Sequence, residues 1–184
     1  SSDVCSSDLF YEVGYRLGLT NQMLSNAKSS ESGYSSDQGC ETLLKYATMF
    51  GLNQTTGIEI PESSPQVSDQ DSVRSAIGQG TNNYTTTQLA RYVTAIANRG
   101  TVYNLSLLQK ATDSDGNDID MGADFGPTVN SEMDVDSSIW DLVHEGMRKV
   151  ISVSNATIFP ESWPVELSGK TGTAENFTKI NGQR

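Results

Sequence analysis

From Thr86 to Asn98 the chain repeats its apolar residues at the pitch of an α-helix. Leu89, Tyr92, Val93, Ile96 and Ala97 fall at i, i+3, i+4, i+7 and i+8. Thr85, with Gln88 three residues on, spells a capping box, and Gly100 supplies a stop. A stripe of this kind has to be covered by another layer, so the spacing predicts a packed helix. The same pattern predicts a second helix from about Ser138 to Ile151, with Ile139, Val143, Met147, Val150 and Ile151 on its apolar face. His144 lies one step off that stripe and reads as a partly solvated surface residue rather than a catalytic one.

Shorter periodic stretches flank these two. FYEVGYRLGL suggests a short helix with Phe10, Val13 and Leu17 on one stripe. ETLLKYATMFGL suggests another, with Leu43, Leu44, Ala47 and Phe50 at helical spacing and Gly51 as its stop. Extended text is scarcer. TGIEIPE reads as a short extended piece ended by Pro61, and residues 105–121 hold two β-leaning runs around SDGN, a hairpin turn. WPVELSGKTGTAENF has a β-type start, and a strand is expected over 165–175. Helices with few strands predict an α+β fold, helices packed on an antiparallel sheet. Residues 25–40 are rich in Ser and Gly and are expected to form an exposed loop. Residues 62–72 read as a polar connector. The opening SSDVCSSDL, residues 1–9, has no helical or strand period and changes character at Phe10. It is expected to be a disordered or foreign tail, leaving 10–184 as the domain.

The 184 residues carry 12 basic and 23 acidic side chains, a formal charge of −11. That balance argues against a nucleic-acid partner. No apolar run approaches the roughly 20 residues needed to span a bilayer, and no basic-then-apolar signal segment opens the chain. If the parent protein has an anchor, it is expected outside this stretch. Cys5 and Cys40 sit in dissimilar polar contexts with no CxxC spacing and read as incidental thiols. His144 is the only histidine, so no His-pair metal site is expected from this chain alone, and no cofactor is expected. The five Asn-x-Ser/Thr triplets, for example at Asn83 and Asn155, read as chance.

The chemistry-bearing string is SGKTGTA, residues 168–174. GKT ends a phosphate-loop pattern, but that pattern needs glycine at position 164, where Pro164 stands, and a helix after the lysine, which Gly172 disfavours. The competing reading is the K-T-G triad of serine transpeptidases and β-lactamases, which suits a strand edging a cleft. Lys170 would set a fixed positive charge beside a nucleophile, favouring a substrate carboxylate and helping proton shuttling. Thr171 would offer its hydroxyl to that carboxylate. Gly172 would let a substrate backbone lie close, and the amide of Thr173 would donate to a developing oxyanion. On these seven residues alone, a glycine-containing turn between strands remains open.

The surroundings of the motif narrow the choice. AIGQGTNNYTTTQLARYVTAIANRGTVYN, residues 76–104, resembles a segment of class B penicillin-binding proteins. In those proteins an IGQG element precedes a Thr, a Gln-Leu-Ala helix and an Ala-Asn-x-Gly ending. FYEVGYRLG, KYATMFGL and TGIEIPE resemble the same family in the same order, and the helix ending at Ile151 precedes SGKTGTAEN much as it does there. The resemblance covers about residues 10–184, with the monofunctional, elongation-type branch the nearest match. It implies a partial penicillin-binding/β-lactamase-like transpeptidase domain, acting on D-Ala-D-Ala stem peptides of peptidoglycan and acylated by β-lactams. It also implies a membrane-anchored bacterial parent with this domain on the extracytoplasmic side, working with cell-wall synthesis proteins. Lys170, Thr171, Gly172 and Thr173 are the residues it carries over as catalytic, with Lys170, Thr171 and Thr173 binding substrate.

Two family motifs are not met. The family needs Ser-x-x-Lys, whose serine is acylated, well before FYEVG. Here only Ser25-Asn26-Ala27-Lys28 fits the letters, after FYEVG and in the Ser-rich stretch. A Ser-x-Asn motif should sit just before FYEVG, where Cys5, Ser6 and Ser7 stand instead. The chain is therefore expected to be a fragment, truncated at both ends and inactive by itself. A penicillin-recognising sensor or β-lactamase-type protein, and a non-catalytic pseudo-transpeptidase partner, are the alternatives. The IGQG and Ala-Asn-x-Gly context favours the transpeptidase over the first, and the abrupt change at Phe10 favours truncation over the second.

Overall fold

The computed structural model describes residues 6–19, 33–122, 125–154 and 164–172. The chain divides into two compact units, residues 1–134 and 135–184.

The first unit opens with helix α1, Ser6–Leu17, which begins before Phe10. The side it buries is not the expected stripe. Phe10 and Val13 are exposed, while Gly14 and Gly18 are buried. A Cβ at Gly14 would stand 2.6 Å from the Ser72 carbonyl oxygen and 2.8 Å from Val73 Cα, so α1 approaches its neighbour backbone to backbone. Helix α2, Ser36–Met49, corrects the expected loop over 25–40. Ser35 caps it by accepting from the Gln38 amide, and Gly39 and Cys40 are buried. Tyr34 is half-buried, its ring stacked on Tyr15 at 5.1 Å and its hydroxyl 2.9 Å from Ser72 Oγ. The Ser and Gly of this stretch serve as a helix cap and as points of close approach rather than as loop filler. Ser35-x-x-Gln38 has the spelling of a capping box. Residues 25–32 lie outside the described residues. Gly51, at φ +70°, ends α2 as expected.

The expected connector over 62–72 is hydrogen-bonded rather than merely solvated. Ser68 is buried, and its hydroxyl donates to the Gln70 carbonyl while accepting from the Ser75 hydroxyl and the Thr81 amide. A one-turn helix α3, Ser72–Ser75, follows, capped by Asp71. The IGQG element leaves it through Gly78 and Gly80, both at positive φ. A Cβ at Gly80 would stand 2.5 Å from Ser68 Oγ and 2.7 Å from Ser75 Oγ, so the hydroxyl cluster and the glycine require each other.

Helix α4, Thr86–Ala97, has both halves of the expected capping box. Its buried side is Gln88, Arg91 and Ala95, whereas Leu89 and Val93 are exposed. Strand β1, Thr101–Asn104, pairs antiparallel with β4, Thr128–Glu132, with a register shift between Val102 and Tyr103. Between them, β2, Ala111–Thr112, and β3, Asp118–Ile119, form the expected hairpin. Asp113 holds its turn by accepting from the amides of Asp115 and Asn117. Antiparallel pairs joined to helices agree with the α+β reading.

The second unit contains helix α5, Ser137–Lys149, capped by Asp136 and continued by a π-helical turn, Val150–Ser154. Trp140 and Ile151 are buried, His144 is partly exposed, and Ile139 and Leu142 are exposed. Residues 166–172 belong to no ladder among the described residues, so the strand expected from 165 onward is not formed there. A strand is defined by its pairing partner. In this segment Gly169, the residue before the K-T-G motif, instead sends its amide to the end of α5.

Candidate active site

Lys170, Thr171 and Gly172 lie together on an exposed edge, and Thr173 lies outside the described residues. The Lys170 ammonium reaches the carbonyl of Thr171 at 2.7 Å. Gly172 has open space where a side chain would stand. Beside this edge is a cavity of about 370 Å³ lined by Val150, Ile151 and residues 167–171.

The segment is fixed from the helix side. The Gly169 amide donates to the Met147 carbonyl at 3.0 Å. Arg148 donates through Nη1 to the Leu167 carbonyl at 3.2 Å, and its Nη2 stands 4.0 Å from Glu166. Ile151 packs over Gly169, where a Cβ would come within 3.1 Å of its Cδ1. Arg148 and Ile151 were not legible as site residues. Their only signal is position, a basic residue in the last turn of a helix and an apolar one just past it.

The chemistry this edge offers is anion holding. An ammonium and a hydroxyl on adjacent residues are both able to donate to an anion. Ser25 and Lys28 lie outside the described residues, and among the described residues no group of three or more His, Cys, Asp and Glu side chains could hold a metal. Cys40, the described cysteine, is buried, and burial pushes its thiol above the ordinary value, which suits an inert residue.

Comparison with known proteins adds four findings. The model of the penicillin binding protein transpeptidase domain family matches residues 2–184. Penicillin-binding protein 2B of Streptococcus pneumoniae is 30% identical over 146 residues, which span 73% of this chain and 21% of that protein. Its solved structure, from strain 5204, superposes with a TM-score of 0.65 at 21% identity, over 89% of this chain and 28% of that one. The peptidoglycan D,D-transpeptidase MrdA of Escherichia coli K12 is 26% identical over 179 residues, 88% of this chain and 28% of MrdA. The chain thus spans between about a fifth and three-tenths of the length of these relatives.

Proposed function

The chain belongs to the penicillin binding protein transpeptidase domain family, and from that premise we propose that it is part of a peptidoglycan D,D-transpeptidase of cell-wall synthesis. The observation that carries the reading is the exposed Lys170–Thr171–Gly172 edge, anchored to a helix end and open on its outer side. In the reaction, a serine oxygen attacks the carbonyl of the penultimate D-Ala of a stem peptide, and the terminal D-Ala leaves with its amine. The amine of a second stem peptide then takes the acyl group and the serine is restored. A β-lactam replaces the first step by opening its own ring onto the serine.

In this scheme Lys170 and Thr171 hold the terminal carboxylate, and Gly172 admits the substrate backbone. The Thr173 amide donates to the oxyanion, a role usually worth about 3–4 kcal/mol. The serine and its lysine base are supplied by residues outside these 184, since Ser25-x-x-Lys28 stands on the wrong side of FYEVG. Residues 10–184 are then one partial transpeptidase domain. The parent is membrane-anchored with this domain on the extracytoplasmic side. Among the described residues no helix is long and apolar enough to cross a membrane. Stem peptides, β-lactams and other cell-wall synthesis proteins are its partners.

Labelled penicillin, read by mass spectrometry, tests the proposal. The chain by itself should form no adduct, and the full-length gene product should form one stoichiometrically. There Lys170→Ala should slow acylation at least ~100-fold, since one change removes a carboxylate partner and a proton-relay charge. Thr173→Ala should cost less, because its amide remains. An adduct at Ser25 of the chain would overturn the placement of the nucleophile. An unlabelled full-length product would overturn the transpeptidase reading.

A further inference from the structure

We propose that residues 56–62 act as a carboxylate-clasped ring that couples the cap of α4 to the seat of the β2–β3 hairpin, so that loosening the clasp loosens both. The ring is closed by its own ends. Glu62 Oε2 accepts from the Thr56 amide at 2.6 Å and from the Thr56 hydroxyl at 3.0 Å, and Thr56 is fully buried. Gly57 turns the chain at φ +90°, a conformation that suits glycine. Pro61, with its fixed φ, stiffens the return to Glu62.

One edge of the ring holds α4. Glu62 Oε1 accepts from the Thr85 hydroxyl at 3.2 Å, and that hydroxyl in turn accepts from the Gln88 amide as the N-cap of the helix. Gln88 also donates through Nε2 to the Ser63 carbonyl at 3.1 Å, just past the ring. The other edge holds the root of the hairpin at three consecutive residues. The Leu105 amide donates to the Thr56 carbonyl at 2.8 Å. The Ser106 hydroxyl donates to Glu59 Oε1, and the Leu107 amide donates to Glu59 Oε2 at 2.9 Å. A carboxylate that accepts from two adjacent residues fixes direction as well as position, and such charge-assisted bonds are stronger than neutral ones.

Thr56 is the shared part. Its amide and hydroxyl face Glu62, while its carbonyl faces Leu105. Loss of the Glu62 clasp therefore frees the residue on which the hairpin root sits. The hairpin has internal bonds of its own. Asp113 accepts from the amides of its turn, and Lys110 pairs with Asp118 at 3.0 Å. Once its root is released, it can shift as a piece.

Hydrogen–deuterium exchange on the full-length gene product, compared peptide by peptide, tests the coupling. Glu59→Ala should speed exchange over residues 105–108 about tenfold and leave residues 86–97 within about twofold of wild type. Ser106→Ala, which removes one of the two bonds to Glu59, should give a smaller rise over the same residues. Glu62→Ala should speed exchange both at 105–108 and in the first turn of α4. Gly57→Ala leaves both carboxylates in place but disfavours the φ of +90°, and it should also speed exchange over 105–108. Unchanged exchange over 105–108 in Glu59→Ala, or a Glu62→Ala effect confined to α4, would overturn the coupling. A uniform rise across the first unit in Glu59→Ala would overturn it too, since that is general destabilisation. None of these readouts depends on acylation.

Discussion

Arg91 is 2% exposed, yet it carries a charge. Its Nη1 donates to the Thr55 carbonyl at 3.0 Å, and its Nη2 donates to the carbonyls of Gly51 and Gln54, the latter at 2.9 Å. Desolvation pulls its pKa below the ordinary arginine value, and the Glu62 carboxylate opposes that pull. The guanidinium thus gathers the backbone oxygens that follow the end of α2, where a helix dipole favours positive charge. Arg91→Met would take this donor from the Thr55 and Gln54 carbonyls and leave the carbonyl of buried Gly51 to the Gln54 amide at 3.4 Å. Urea unfolding should show a loss of about 1–3 kcal/mol. Arg91→Lys should lose nearly as much, because a single ammonium cannot span three carbonyls as a planar fork does. Wild-type stability in either variant would refute this account. Residues of this kind explain what the sequence hid. Lys170, Thr171 and Gly172 were legible because their side chains, in that order, are the chemistry. Arg91, Ser72 and Arg148 work through main-chain oxygens, and a carbonyl has no letter of its own. A buried arginine is moreover the exception for its residue type, so nothing in the periodicity marks it.

At the scale of elements, the existence of the helices was legible and their inner faces were not. Both halves of the capping box of α4 and the stop of α2 follow from short-range chemistry that the sequence spells out. The buried sides of α1 and α4 follow from close approach and from hydrogen bonding, which apolar periodicity does not report. Val93 of α4 is 49% exposed and Ile139 of α5 is 51% exposed, so part of each predicted stripe stays exposed, although Ile151 is buried. The start of α5 carries a pH-dependent cap. Asp136 accepts from the Ser138 hydroxyl and amide, and these bonds hold its carboxyl below the usual range. A lowered folded-state pKa stabilises the folded state fully above the unfolded value, about 3.9, and the benefit is lost as pH falls through the folded value. Asn caps about as well but does not titrate in this range. Helix content of the 137–149 segment should therefore be similar in wild type and in Asp136→Asn above about pH 5, and wild type should fall below the variant on acidification. Curves that stay parallel down to about pH 2 would show that the cap carries no charge dependence.

For the whole molecule, the α+β class was legible from the mixture of periods. The layer covering the helices was not, because a stripe shows that something must be covered without showing by what. Among the described apolar side chains only Cys40, Ala95, Val102, Trp140 and Ile151 are buried. So small a core supports little cooperativity. The 184-residue chain alone should bind the dye ANS and unfold over a broad range of denaturant, and a single sharp transition with a midpoint above about 65 °C would contradict this. One part of the first unit is nevertheless packed without slack. Ser72 donates its hydroxyl to the Gly14 carbonyl, receives Gly39 against its side chain, and meets the Tyr34 hydroxyl, so α1, α2 and α3 converge on a single serine. A joint with no tolerance cannot drift one position at a time. Residues 14, 39 and 72 should be inherited as one character, changing together or not at all, even where everything around them has diverged.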